Sequence, residues 1–382
     1  MARRRRRAFL VVSLAAMAAS CGGPRSPRAA APATTYPGSN GLSAPSTGAA
    51  PTTTAAPRGQ VDADEPVTIV FAGDIHYDGA LAGRLARNPD TMLSAVQPLL
   101  SSADLAVVNL ETAIGTGGDT ATKAFNFRAP PSAFDALAAS GVDVIGMANN
   151  HALDYGQAGL RETLAAIAER HAPVIGVGVD EEAAYRPFTA TVKGQRIAVI
   201  AATQIIDSNL IADWTAGPDH PGVASAKRVD RLVAAVAEAR PNADIVAVFL
   251  HWGTETVTCP NAAQLALASK LVEAGADLVI GGHAHRVLGG GYLGHAFVEY
   301  GLGNFQFIAS SPPGRESGLL RVTMRRHHVD RDEWLPVRIG ADSLPVPLSG
   351  AEATAALRRW LDRRPCTKLA DEPSTAEPGS DR

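Results

Sequence analysis

Apolar residues along this chain gather in short runs, and each run stops at a polar cluster. Val67 to Ala72, Leu105 to Val108, Val142 to Met147, Val174 to Val177, Ile197 to Ala202, Ile245 to Leu250 and Leu278 to Ile280 have the length and β-branched content of buried strands. Between them the apolar spacing turns helical, over Met92 to Leu100, Ser132 to Ala139, Tyr155 to Arg170, Ala224 to Ala239 and Ala262 to Ala274. Gly141 and Gly275 stand just past two of these segments, where a left-handed helix cap suits glycine. This alternation predicts an α/β sheet covered by helices. Phe297 to Tyr300 and Leu319 to Met324 follow without helices between them, which predicts an antiparallel edge or a second sheet. Asp180 to Pro221 reads as insertions within the one fold, Ala351 to Arg363 as a last amphipathic helix, and Thr367 to Arg382 as a polar tail.

The polar clusters carry the chemistry. The first strand runs into Gly73-Asp74-Ile75-His76 and the second into Asn109-Leu110-Glu111. The third runs into Asn149-Asn150-His151, the Ile245 strand into His251-Trp252-Gly253, and the Leu278 strand into Gly281-Gly282-His283-Ala284-His285. Ligand sites of open α/β sheets form beyond the carboxyl ends of the strands, so these loops are expected to converge. Each has a plainer reading alone. Gly-Asp is common turn chemistry, Asn-Asn-His can cap a helix, Asn109-x-Glu111 can be a solvated loop, and His251 can be a satisfied core histidine. Together they form a carboxylate and imidazole set without thiolates, which suits Zn, Mn or Fe. Two such ions can share a carboxylate and bring the pKa of bound water down from 15.7 to about 7. In the glycine-flanked His-Ala-His segment, an extended chain would turn both imidazoles to one side.

Composition narrows the class. Of 382 residues, 46% are hydrophobic and 19% charged, an ordinary globular balance. Aromatics are only 5% and the formal net charge is -3, so there is no electrostatic footprint for nucleic acid. Arg3 to Arg7, the apolar stretch Ala8 to Ala19 and the small residues after it make a secretory signal, too short to span a bilayer. Ala18-Ala19-Ser20-Cys21 is similar to a bacterial lipobox, which predicts lipidation of Cys21 and attachment to the outer face of the cytoplasmic membrane, with simple secretion as the alternative. Residues 22–66, rich in Pro, Ala and Thr, are expected to be a disordered tether. The folded domain is expected over 67–345, with the last helix and tail over 346–382. Cys259 and Cys366 form an even pair in an exported chain, which predicts a disulfide between the last helix and the loop after His251.

At these residues the sequence resembles the capsule-synthesis protein CapA family, linked to poly-γ-glutamate. The segments that carry the resemblance are Gly73 to Ile75, Asn109 to Glu111, Ala148 to Gly156, His251 to Glu255, Gly275 to His285 and Tyr300 to Phe305. That family is similar in turn to calcineurin-like metallophosphoesterases. The resemblance implies a metallophosphatase-like αββα sandwich of two mixed sheets flanked by helices. It also implies two divalent transition metal ions. Asp74, His76 and His285 would hold the first ion and Asn150, His251 and His283 the second, with Glu111 as the bridging carboxylate. His151 would be an acid or hydrogen-bond donor toward the reacting group, oriented by Asp154. Glu111 departs from the phosphoesterase pattern, which has an aspartate there, and His283-Ala284-His285 departs from the His-Pro-His of many family members.

Three functions remain open on the sequence. The first is an anchored protein of capsule or poly-γ-glutamate synthesis or export, beside membrane partners. The second is an envelope metallohydrolase acting on a phosphoester or amide, and the third a non-catalytic scaffold. Arg128 is open between an anionic substrate and a surface salt bridge. Trp252 and Tyr155 read as wall packing, Asn304 as a residue fixing a turn near the His-Ala-His loop, and His327 and His328 as exposed positions on an edge strand.

Overall fold

A computed structural model describes residues 65–374. The leader, Cys21 and nearly all of the expected tether lie outside the described residues, as do the last residues of the tail. Among the described residues no helix is long and apolar enough to cross a membrane.

Two mixed sheets form the framework. The first has Val67–Ile75 at its centre, flanked in parallel by Leu105–Leu110, then Val144–Gly146 and Val174–Ile175. On the other side Glu316–Arg325, His328–Ile339 and Pro345–Pro347 continue it antiparallel. The second sheet is parallel through Gln195–Thr203, Ile245–Trp252, Leu278–His283 and Ala296–Glu299, with antiparallel edges at Phe188–Val192 and Gly290–Leu293.

The side-chain alternation shows how the sheets stack. Ile69 and Phe71 share one buried cluster with Val199, Ala247 and Phe249 of the other sheet, and the Phe71 and Phe249 rings lie 6.4 Å apart. The intervening residues point outward. Val70 and Ala72 pack with Leu81, Phe134 and Leu160 on the first sheet's helices. Val246, Val248 and Leu250 pack with Leu232 and Leu267 on the helices of the second. Successive strand residues face opposite ways, so buried runs of this kind require cover on both sides. The expected αββα sandwich is present.

Several elements differ from the sequence expectation. The Met92 to Leu100 helix shrinks to Gln97–Leu100, because Pro98 at its start leaves only a short turn; a helix at Ala80–Arg87 is added, and Leu81 and Leu85 join Met92, Leu93, Val96 and Leu100 in one buried cluster. The Ala224 to Ala239 helix starts only at Val229, since Gly222–Val223 pairs with Val177–Gly178. Gly141 and Gly275 do adopt positive φ, 81° and 106°, just past their helices.

The C-terminus is bound into the sandwich. The helix Gly350–Leu361 buries Trp360 against Trp334, with rings parallel at 5.6 Å, and the Trp360 indole donates to Glu299 at 2.8 Å. Beyond it, Ala370 and Tyr292 exchange backbone hydrogen bonds of 2.9 Å, so the start of the expected polar tail adds to an edge of the second sheet. The Cys259–Cys366 disulfide is formed and closes a separation of 107 residues. Loop-closure entropy for a link of this length is worth up to ~4.7 kcal/mol. Reduction, or Cys366→Ser, is expected to lower the unfolding free energy by ~2–5 kcal/mol. Chemical denaturation with and without reductant measures it, and coincident curves would show that the link contributes nothing.

Candidate metal centre

The parallel strands of both sheets end at the same place, and their last residues build one pocket. A bulge on the first strand aims Asp74. The pairing register shifts around it, and its N–H donates to the Gly303 carbonyl at 3.1 Å. A Cβ at Gly73 would lie 1.9 Å from that carbonyl, so only glycine permits the approach. Glu111 follows the second strand and is fixed by its N–H to the Ile75 carbonyl, 2.7 Å. His251 and His283 sit on adjacent parallel strands of the other sheet.

Six of the seven expected ligands meet here. Asp74, Glu111 and His251 present ligand atoms within 4.8 Å of one another, and so do Glu111, His283 and His285. Glu111 belongs to both groups. Asn150 joins through its side-chain oxygen, 2.7 Å from His251 Nε2, and His251 Nε2 lies 3.2 Å from His283 Nδ1. His76 stands apart from both groups. Its Nε2 accepts from the Ile308 N–H at 3.0 Å, its Nδ1 has no partner among the described residues, and its ring packs against Phe127 and Phe307. The His-Ala-His segment is not extended. His283 and His285 have φ of 82° and 51°, and this left-handed turn brings their rings within 5.8 Å. It also lets the His283 N–H reach Asp74 Oδ2 at 3.0 Å.

Asn109 ties the two sheets across the pocket. Its side-chain amide donates to Asp74 Oδ1 at 2.7 Å and lies 3.3 Å from His251 Nδ1. Asn149 holds Asn109 and the Leu110 carbonyl, and accepts from the His151 N–H. The Asn149-Asn150-His151 segment therefore caps no helix; the next helix begins at Gly156 without a side-chain cap. His285 Nδ1 lies 2.7 Å from the Asn304 side-chain oxygen, while the Asn304 amide donates to Gly314, so Asn304 orients a ring as well as fixing a loop.

The electrostatics favour a cation. Burial, reinforced by Glu111, raises the Asp74 carboxyl above its ordinary range, and burial raises Glu111. Both Glu111 oxygens are buried without a hydrogen-bond partner among the described residues. Burial pushes His251 and His76 down to about 3, and His283 well below the usual imidazole value, so these rings are neutral; the His76 lone pair is taken by the Ile308 N–H, while His251 and His283 face the carboxylates. Burial also opposes charge on His285, but Glu111, Asp74 and the Asn304 contact outweigh it and raise its pKa. Partnerless carboxylate oxygens facing neutral imidazoles fit a divalent ion.

Beside this set lies a second buried cluster. His151 Nδ1 is 2.6 Å from Asp154 Oδ2, and its Nε2 is 3.8 Å from Glu111. Phe127 stacks on the His151 ring at 4.1 Å, and its N–H donates to Asp154. Lys123 donates to Asp154 Oδ1 at 2.8 Å and to the Asn150 carbonyl. No sequence signal points to Lys123. It sits between exposed Thr122 and Ala124 in a loop without periodicity, and only tertiary folding buries it. Arg128 makes no salt bridge among the described residues; its guanidinium stacks on Tyr155 with 3.2 Å to the ring centre.

The two clusters predict opposite signs for charge removal. Glu111→Gln removes a buried carboxylate that has no hydrogen-bond partner among the described residues and is expected to stabilise the metal-free protein by about 1–3 kcal/mol. Lys123→Met takes the buried lysine cation from Asp154, leaving it only His151 and the Phe127 N–H, and is expected to cost about 3–5 kcal/mol. Thermal and urea melts in chelator measure both, and like signs would contradict this charge assignment.

A family description, bacterial capsule synthesis protein PGA_cap, matches residues 68–309. The PGA biosynthesis protein CapA of Bacillus subtilis (strain 168) is 27% identical over 297 residues, covering 76% of each chain. The capsule biosynthesis protein CapA of Bacillus anthracis is 28% identical over 297 residues, 75% of this chain and 71% of its own. A probable polyglutamine synthesis accessory protein of Mycobacterium tuberculosis is 34% identical over 193 residues, 48% of this chain and 50% of its own. Among solved structures, a hypothetical protein from Thermus thermophilus aligns over 70% of this chain and 98% of its own, at 17% identity and a TM-score of 0.45. The 5'-nucleotidase from Candida albicans aligns over 78% of this chain and 58% of its own, at 12% identity and a TM-score of 0.42. The family match runs through every segment that builds the pocket, from Asp74 to Asn304, and the chain belongs to the bacterial capsule synthesis protein PGA_cap family.

Proposed function

We propose that this protein acts in synthesis or export of an anionic capsule polymer of the poly-γ-glutamate type, through a dinuclear hydrolase-type metal centre held at the cell envelope. The observation that carries the metal reading is Glu111, whose buried carboxylate has no hydrogen-bond partner among the described residues and belongs to both ligand groups. The Bacillus relatives named for PGA and capsule biosynthesis support the polymer class. Lipidation at Cys21 is the attachment we infer from the leader.

Asp74, Glu111, Asn150, His251, His283 and His285 would hold two ions of Mn, Fe or Zn. Bound there, the ions supply Lewis acidity, which makes a nucleophilic water available at neutral pH and offsets charge developing on the substrate. The chain's own residues do the rest. Lys123 and His151 Nδ1 both contact the Asp154 carboxylate, which fixes the orientation of the His151 ring. His151 Nε2 is thereby left facing the pocket, 3.8 Å from Glu111, where it can give a hydrogen bond or proton to the departing group when the ring is charged. Phe127 and Phe307 wall the pocket beside His151 and His285 and limit water.

Metal analysis tests this reading. Protein purified without chelator is expected to carry near two equivalents of transition metal, lost in Asp74→Ala and in His283→Ala. A screen of phosphoesters and γ-glutamyl amides should then find turnover that falls by about a hundredfold or more in His151→Ala. No metal after reconstitution with Mn, Fe or Zn would sink the hydrolase mechanism and leave a scaffold for polymer assembly.

A further inference from the structure

Away from the metal ligands, a cavity of about 510 Å³ opens between the C-terminal helix and the first sheet's antiparallel edge. In a chain of net charge -3 it is lined by four arginines, Arg315, Arg338, Arg359 and Arg363, against two carboxylates, Glu316 and Glu352. Its remaining wall includes Val337, Leu348 and Ala355.

The guanidinium groups are only partly used. Arg359 Nε donates to Glu316 at 2.5 Å and Arg363 holds the other oxygen of the same carboxylate. Arg363 Nη1 is buried with no hydrogen-bond partner among the described residues. Arg315 donates through Nε to the Ala309 carbonyl at 2.8 Å, which leaves its two terminal amino groups for another acceptor. Arg338 pairs with Glu352 at 2.9 Å, but both side chains are more than half exposed, at 54% and 62%, so the pair is weak and can yield to a ligand.

We infer that this groove binds a segment of acidic polymer, seating spaced carboxylates on Arg315, Arg338 and Arg363 and the intervening methylenes on Val337, Leu348 and Ala355. Guanidinium forks match carboxylates in geometry as well as charge. Arg359 and Arg363 share Glu316, Arg338 takes Glu352 and Arg315 takes a backbone carbonyl, so the guanidinium groups address separate acceptors, which suits a row of carboxylates better than a single phosphate. The apolar wall gives a methylene backbone a place that a polyphosphate lacks. The groove also shares a loop with the metal centre. Pro312, Pro313 and Arg315 line the groove, while Ile308 of the same loop holds His76 and Gly314 accepts from Asn304. A chain seated here is thus held beside the pocket without entering it. The inference shares its ligand class with the capsule reading but not its metal centre.

The test is binding of a short, labelled γ-linked oligoglutamate to the purified full chain by fluorescence anisotropy at low and physiological salt. Wild type and Asp74→Ala are expected to bind alike, with affinity falling as salt rises. Arg315→Gln/Arg338→Gln should weaken binding by about tenfold or more, and Glu352→Gln, which removes a competing carboxylate, should tighten it. Circular dichroism checks that each variant folds. No binding by wild type, equal binding by the arginine variant, or displacement by inorganic polyphosphate at equal concentration would overturn the groove assignment. Loss of binding in Asp74→Ala alone would place the polymer at the metal centre and overturn it too. Failure of the metal-centre reading is separate, since it appears as absent metal and absent turnover while groove binding persists.

Discussion

Charge balance in a dry pocket is the constraint on which the rest of this molecule turns. Asp74 and Glu111 are wholly buried, and Glu111 has no donor among the described residues. Taking carboxylates out of water costs several kcal/mol each unless positive charge or hydrogen bonds replace the solvent. Asn109 and the His283 N–H serve Asp74, and nothing equivalent serves Glu111. A pocket of this kind holds its shape because the surrounding fold is rigid enough to enforce it, and its charges are matched when a cation enters.

The sandwich supplies that rigidity. Each sheet has a parallel centre whose carboxyl ends face the same edge, and the shared core of Phe71 and Phe249 locks the sheets together beneath it. Asp74 and Glu111 come from one sheet, His251 and His283 from the other. Asn109, touching both Asp74 and His251, is the point where the two halves meet. Close backbone approach sets the scale. A Cβ at Gly282 would lie 2.6 Å from Asp74 Oδ1, so the carboxylate occupies space that any other residue would claim.

Much of this was legible in the sequence because burial on both faces writes continuous apolar runs, and strand ends write polar clusters. The strands at Val67, Leu105, Ile197, Ile245 and Leu278, and the residues that follow them, were readable in that way. What was hidden depends on contacts distant in sequence. Lys123 looks like a surface lysine until Asp154 folds over it. His76 has the spacing of a ligand, yet the Ile308 backbone takes its Nε2. The turn at His283 and His285 needs positive φ, which histidine seldom adopts and no periodicity announces. Residues near Ala370 read as tail because pairing to an edge strand needs no apolar pattern.

The Cys259–Cys366 link gives the C-terminal strap a dependence on where the chain is. Thiols stay reduced in a bacterial cytoplasm and pair outside it. The segment carrying Arg359 and Arg363, and the pairing of Ala370 with Tyr292, therefore gain their covalent tie only in an oxidising compartment. In an oxidising compartment the strap is tied covalently, and in a reducing one it is held by noncovalent contacts, the Trp360–Trp334 stack and the Ala370–Tyr292 hydrogen bonds among them, so the surroundings of the chain set how firmly this edge is closed.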